Sequence, residues 1–562
     1  MPVNLAAPSV YCYRMVGDEH FGGAVNIMAK SILAAGALTL GAAVSALAFG
    51  ATGAAAQQPT TLTMAVGSPV TSLDPHFHQL SPNNAVADMI FSKLVETDAQ
   101  ARNVPGLATE WRAVGPTTWE FKLRPNVRFH NGNPFTAEDV AFTLQRLPNV
   151  PNSPSSFAAY SRPIQAMEIV DPLTIRFRTA APHPLMPLDM TNVRILDRET
   201  HQNATTEDFN AGRAAIGTGP YRVVSHRSGD RIEFERNDNY WGDRAPFQRV
   251  LYRMITNDAA RTAALLAGDV EFIDQVPTSD LAKLRQDNRI ALSETVGLRL
   301  IFLGLDHLRQ ANENSPFITD NDGRPLGRNP LQDVRVRRAL SIAIDRKAIV
   351  DRVMEGAAVP AGQFLPEGVY THVPGVTPPA FDPDAARRLL AEAGYPQGFR
   401  IQLNGPNDRY VNDARIIQAV GQMWTRIGVR TTVEAQPWTT FVGRAGRADF
   451  SAHLIGWGSN PDGSHPLRNI LATQTRDRGW GSSNRGRYSN PRVDALLDQS
   501  LVELDEPKRV QLVIEAQRIA AEDVAVIPLH IQTNIWGMRR HLAHDARNDE
   551  LTRAQDVRPA AR

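Results

Sequence analysis

The run from Val104 to Leu147, VPGLATEWRAVGPTTWEFKLRPNVRFHNGNPFTAEDVAFTLQRL, changes its hydrophobic period partway along. In TWEFKLR, Trp119, Phe121 and Leu123 alternate with polar residues, which is the two-residue repeat of a strand with one buried face. In TAEDVAFTLQRL, Val140, Leu144 and Leu147 share one stripe at helical spacing, and Thr136 stands where an N-cap belongs. Strands and helices in irregular succession indicate a mixed α/β or α+β architecture.

The pattern extends outward from this run. TLTMAV, TIRFR and RIEFER repeat the strand alternation through Leu62/Met64/Val66, Ile175/Phe177 and Ile232/Phe234. The second half is richer in helices. QDVRVRRALSIAIDRKAIV aligns Val336, Leu340 and Ala343 after Asp333. FDPDAARRLLAEAGYP carries a full set of boundaries, with Asp382 as N-cap, Pro383 in the first turn, Gly394 just past the end and Pro396 beyond. The chain has 562 residues, and single cores stop growing at roughly 250 to 300, so two or three domains are expected. No short internal repeat suggests a solenoid.

The first 56 residues differ from the rest. Met28-Ala29-Lys30 precedes SILAAGALTLGAAVSALAFGATGAAA, an uncharged apolar run ending in small residues, and then the polar QQPTT begins. This is the layout of a secretory signal peptide cleaved after Ala56, with translation expected to start at Met28; a membrane anchor is the alternative. Cleavage would remove Cys12, the single cysteine, leaving a thiol-free chain suited to an oxidising compartment. The expected location is the periplasm.

Composition and motifs exclude several functions. The chain is 42% hydrophobic and 21% charged, with 60 basic residues, 59 acidic ones and a net charge of +1, which argues against a nucleic-acid partner. There is no phosphate-binding P-loop, and GTGPY lacks the third glycine of a dinucleotide loop. GWGSNPDG and GWGSSNRG do not fit the G-x-S-x-G elbow of a serine hydrolase. His76 and His78 flank Phe77 in LDPHFHQL, and a helix would bring His541 and His544 to one face, but no further ligand motif supports a metal at either pair. No cofactor is expected. GWGSNPDGSHPL, Gly456 to Leu467, holds three glycines and two prolines with a Trp and an Asp, and reads as a loop without helix or strand period.

Taken in order, LDPHF, the opening run, GTGPYRVV, FERNDNYWG, LLAGDVEFIDQVP, LQDVRVRRALSIAIDRKAIV, AARRLLAEAGYPQGF, WTRIGV, YSNPRVDALLDQS and IPLHIQ resemble the extracytoplasmic solute-binding proteins of ABC transporters, family 5, which takes oligopeptides, dipeptides, nickel complexes and opines. The resemblance implies an α/β, two-lobed periplasmic binding protein of the large class II type, with a hinge and an extra domain. Lobe I would comprise residues 57–92, 209–299 and 530–562, the extra domain 93–208 and lobe II 300–529. The hinge would lie near GLRLIFLGLD and VIPLHIQ. A ligand touching both lobes makes some of its contacts only in the closed state, and so draws the lobes together.

The same resemblance implies the site. In the dipeptide-binding branch an aspartate three positions after the loop tryptophan pairs with the ligand's amine; here Trp457 is followed by Asn460 at that position, and Asp462 is the candidate replacement. An arginine for the ligand carboxylate aligns with Arg409, beside Tyr410, and Trp438 aligns with a pocket-lining tryptophan. Trp480 and Arg485 in GWGSSNRGRYSN are placed nearby as a further guess. His78, with His76, would serve a metal-chelate or haem cargo instead. The expectation is a monomeric, non-enzymatic carrier of a small organic or peptide-like ligand, delivering to an inner-membrane permease. An exported hydrolase is the more distant alternative.

Overall fold

The computed structural model describes residues 60–154, 156–308, 318–475 and 479–561. The expected signal sequence, Met28 and Cys12 lie outside the described residues. Among the described residues, no helix is long and apolar enough to cross a membrane.

Twelve strands of the described chain join one sheet. At its centre Ile290–Leu305 runs antiparallel to Val526–Arg539, from Ile290 opposite Arg539 to Gly304 opposite Val526. On one side Ala452–Gly458 pairs with Ile290–Leu305, and Phe399–Pro406 follows in parallel with it. On the other side Phe272–Ile273 leads to Thr61–Val66, then Arg249–Met254, Arg231–Arg236 and Tyr221–Arg227.

The two long strands connect separate hydrophobic cores. Leu300, Ile301, Leu303, Ile527 and Leu529 are buried with Leu340, Leu403, Ile417 and Trp424. Trp536 and Met538, farther along the second strand, are buried with Leu62, Met64, Phe234 and Tyr252. The change of partners coincides with register shifts between Val296 and Leu300 and between Ile301 and Phe302. Such irregularities interrupt the ladder and bend the strand locally.

A third core is built on a separate four-stranded antiparallel sheet, with Ala108–Gly115, Thr118–Leu123, Thr174–Thr179 and Ile164–Asp171 in that spatial order. Phe121 and Phe177 meet across it with ring centroids 5.1 Å apart. The helix Ala137–Arg146 covers the sheet with Val140 and Leu144, and Thr136 and Asp139 form its reciprocal capping box. This unit is tied to the main sheet's side by buried charges. Asp88 meets Lys93 at 3.0 Å and Arg194 at 2.7 Å, and Arg146 meets Asp74 at 2.6 Å.

Helix boundaries follow local chemistry. Asp382 accepts from the Ala385 amide ahead of the helix Pro383–Glu392, and Gly394 sits at φ +95° just beyond it. Asp333 caps Val334–Ile342, whose Val336 and Leu340 are buried. The helix Asp413–Arg426 sinks Trp424 entirely, with its indole N–H donating to the Leu340 carbonyl at 2.9 Å. The two C-terminal histidines are not on a helix. His544 ends the strand Leu542–His544 against Ser293, and His541 faces Glu271 at 3.1 Å, because the segment pairs with Val557–Pro559.

Candidate functional site

His76 and His78 do not form a metal pair. His76 is fully buried, with Nε2 2.9 Å from the Arg194 carbonyl and Nδ1 3.1 Å from the Arg146 guanidinium. Both ring nitrogens are engaged, and burial together with the Arg146 charge takes its pKa down to about 3, so the ring is neutral. His78 is half-buried and its Nδ1 meets the Thr71 hydroxyl at 3.1 Å.

The stretch Gly456 to Leu467 is more regular than its composition suggests. Gly456, Trp457 and Gly458 end the strand Ala452–Gly458, and a helical turn begins at Ser464. Only residues 459 to 463 are a turn, because pairing with Leu300 and Ile301 extends the strand through the glycines. Asn460 holds this turn by accepting the Asp462 backbone N–H at 3.0 Å.

Asp462 has a structural role in place of the ligand contact expected of it. Its side chain is completely buried and pairs with Arg509 at 2.8 Å. It also accepts the Tyr370 hydroxyl at 2.5 Å and the Ser464 backbone N–H at 2.8 Å. Burial alone would raise its pKa, but Arg509 and the hydrogen bonds prevail and hold it below the usual carboxylate value. The carboxylate is therefore charged, enclosed and neutralised within its own chain.

Arg409, Tyr410 and Trp438 are brought together, beside the strand that carries Trp457. The Arg409 guanidinium lies 5.4 Å from the centroids of both Tyr410 and Trp438, which meet each other edge-on at 6.0 Å. Tyr410 donates its hydroxyl to the Gly456 carbonyl at 3.2 Å, next to Trp457. Gly456 is required there: a Cβ would sit 2.7 Å from both the Tyr410 ring and Ile301. Asp413 fixes the backbone below, accepting the N–H groups of Arg409 and Tyr410 at 3.0 Å each. Arg409 is exposed and makes no ion pair within 4 Å among the described residues, although its charge reaches Glu550. A delocalised cation is thus spread over two ring faces at the exposed side of this cluster.

Half-buried Trp457 donates its indole N–H to His465 Nδ1 at 3.3 Å, with the rings 5.4 Å apart. Burial and the nearby Arg468 charge lower the His465 pKa to about 4, which keeps the ring a neutral acceptor. Sequence reasoning passed over His465 and Arg468, whose signal was their spacing of eight and eleven residues from Trp457 across a turn. It also passed over Arg299. Arg299 stands opposite Gly458 in the ladder and holds Glu550 at 2.5 Å, while Glu550 accepts from Ser81 at 2.7 Å. Trp480, placed near the site on sequence grounds, is buried in the core of residues 300–531. Arg485 is half-buried and lines a small cavity with His453, Ile455 and Ile470.

The surroundings of this wall match known proteins across most of the chain. The description Bacterial extracellular solute-binding proteins, family 5 Middle, fits residues 102–478. Heme-binding protein A of Haemophilus influenzae is 30% identical over 482 residues, covering 79% of this chain and 82% of that protein. The dipeptide-binding protein of Escherichia coli is 26% identical over 543 residues, covering 92% and 96%. The solved structure of HbpA2 from Haemophilus parasuis superposes with a TM-score of 0.76 at 25% identity, covering 89% of this chain and all of that one. With a two-lobed α/β fold and a family match spanning well over half its length, the chain belongs to the bacterial extracellular solute-binding proteins of family 5.

Proposed function

We propose that this chain is the periplasmic component of an ABC importer, capturing a peptide or peptide-like organic solute by its carboxylate and delivering it to the permease without chemical turnover. The observation that carries this reading is Arg409, an exposed guanidinium with no ion pair among the described residues, lying over Tyr410 and Trp438 beside the Trp457 strand. Trp457 supplies a flat apolar wall for the ligand body. Asn460 reads no free amine by charge, so a capped peptide or a peptide conjugate suits the site better than a simple dipeptide.

The lobes are assigned as residues 57–92, 209–299 and 530–562 against 300–529, with 93–208 as the extra domain. The separate cores support this assignment, as do the two long strands that pass between them. Export follows from cleavage of the signal sequence after Ala56. Lobe closure over the ligand desolvates the Arg409 contact and strengthens it.

Native mass spectrometry of protein purified from its periplasm without denaturation tests the reading. A released peptide-like mass is the expected result. A haem mass with its visible absorption would replace the peptide cargo by haem, the reading favoured by the 30% identity to heme-binding protein A. Turnover of peptides or esters, abolished by a single change in the cleft, would overturn the carrier reading altogether.

A further inference from the structure

The helix Asp413–Arg426 starts without the cap that its sequence supplies. Asn412 stands at the N-cap position, where an Asn side chain ordinarily accepts an N–H of the first turn, yet it makes no such bond. Its backbone is left-handed, at φ +57°, a conformation uncommon outside glycine and most accessible to Asn and Asp. The side chain is engaged elsewhere. Nδ2 donates to the Thr278 hydroxyl at 3.0 Å and to the Val353 carbonyl at 2.8 Å, so both N–H groups of the amide are used away from the helix.

Thr278 belongs to the segment 209–299, in the turn Thr278–Asp280, and is buried. Val276, Leu281 and Leu284 around it form a small core with Ile273 and Ile535, and Ala357 of the segment 300–529 is buried in the same core. One amide therefore ties the start of the helix both to the turn Ile349–Val353 and to the other lobe.

Asn412 also lies in the stretch that carries the candidate site. Asp413, next in the chain, accepts the backbone N–H groups of Arg409 and Tyr410, which closes residues 409–413 into one turn. A displacement of Asn412 is thus passed directly to Arg409. Arg409 is itself close enough to the 530–562 segment to act on it: burial pushes the Glu550 carboxyl up, but the charge of Arg299 and, in smaller measure, that of Arg409 hold it below its usual value.

We propose that Asn412 and Thr278 are positioning residues of the binding site, a clasp through which lobe I holds the turn that carries Arg409, so that the lobe arrangement and the setting of the Arg409 guanidinium change together. This rests on the carrier reading and the lobe assignment above, and it names the contact that couples them. Separating the lobes breaks the bond to Thr278 and leaves the amide with the Val353 carbonyl alone, which frees the turn; bringing them together restores it.

Residues 57–562 contain no cysteine, so a pair of spin labels on Val224→Cys in lobe I and Arg388→Cys in lobe II, both exposed, is unique in the mature chain. Pulsed electron resonance on the protein as purified reads the distance between them. Thr278→Val keeps the side-chain shape and removes the hydroxyl. Asn412→Gly keeps the left-handed turn at no steric cost and removes the amide. Each is expected to broaden and lengthen the distance distribution, and to release co-purified ligand on dialysis roughly tenfold faster, the worth of about one hydrogen bond. Thr278→Ser, which retains the hydroxyl, is expected to match the parent in both. Thermal melts within a few degrees of the parent establish that each variant is folded. A parent-like distribution in either disruptive variant, or a shifted one in Thr278→Ser, would overturn the clasp and leave the carrier standing. Turnover of cargo would overturn the carrier reading instead, while the distances still decide the clasp.

Discussion

Asp462 and Arg509 form an enclosed ion pair at 2.8 Å, with side chains 0% and 2% exposed, and Tyr370 bridges them by donating to Asp462 and accepting from Arg509 at 2.8 Å. The acid nearest the position that reads an amine in the dipeptide-binding branch thus braces the turn from behind. A charge buried in this way depends on its partners, and Arg509 has a second one in Glu506 at 3.0 Å.

Asp462→Asn should destabilise the fold by about 1.5 to 3 kcal/mol, the worth of a hydrogen bond to a charged group, because Arg509 keeps Glu506 as a carboxylate partner. Urea unfolding followed by circular dichroism measures this. A change below about 1 kcal/mol would show that the pair braces nothing.

Asn460→Asp should leave the turn intact, since a carboxylate oxygen accepts the Asp462 N–H as well as the amide oxygen does. It adds a negative charge where the wild-type chain has none. The expected outcome is roughly a tenfold gain for Ala-Ala over N-acetyl-Ala-Ala in calorimetry, the worth of one charge-assisted hydrogen bond. An unchanged ratio would remove position 460 from the ligand's amine end.

These two positions also mark what the sequence could and could not disclose. Asp382, Pro383 and Gly394 delimit a helix through contacts within a few residues of each other, so their pattern is legible without the fold. The alternation of Phe121 and Leu123, or of Ile175 and Phe177, likewise specifies which strand face is buried. Asp462 was illegible for the opposite reason. Tyr370 and Arg509 reach it from distant parts of the chain, and a local NPDG reads as an ordinary turn whether its acid is free or enclosed. The same holds for His76, whose nitrogens are taken by Arg146 and Arg194, residues that only folding brings near. The strand character of Gly456 to Gly458 was hidden by its glycines, which are there to admit Tyr410 and Ile301 rather than to break the strand.

Arg409→Ala should weaken a carboxylate-bearing ligand by about 2 to 5 kcal/mol, the cost of truncating one partner of a charge pair that closure desolvates. Its effect on stability should be small, about 0.5 to 1 kcal/mol, since the exposed guanidinium lies over two rings and makes no ion pair among the described residues. Calorimetry paired with urea unfolding separates the two quantities. Unchanged affinity removes Arg409 from the site, and a large stability loss assigns it to the scaffold.

Acid should unfold this protein earlier than its carboxylates alone would require. His76, His453 and His530 are buried, and burial lowers each pKa to about 3 from an ordinary value near 6.5. The folded state keeps these rings neutral, whereas the unfolded chain protonates them below about pH 6.5, so the unfolded state binds more protons between those limits. Stability is therefore fully present above about pH 6.5 and falls as the pH drops toward 3. Each histidine contributes a slope of up to about 1.4 kcal/mol per pH unit. His453 and His530 sit on the strands flanking Ile290–Leu305, opposite Gly304 and Ile301, so their protonation strikes the strands that join the cores. Urea midpoints measured at intervals between pH 7.5 and 4 should fall steadily below about 6.5. His530→Gln, folded at neutral pH, should flatten that fall. A midpoint constant down to pH 4.5 would show that the buried histidines are already protonated or freely hydrated in the folded protein.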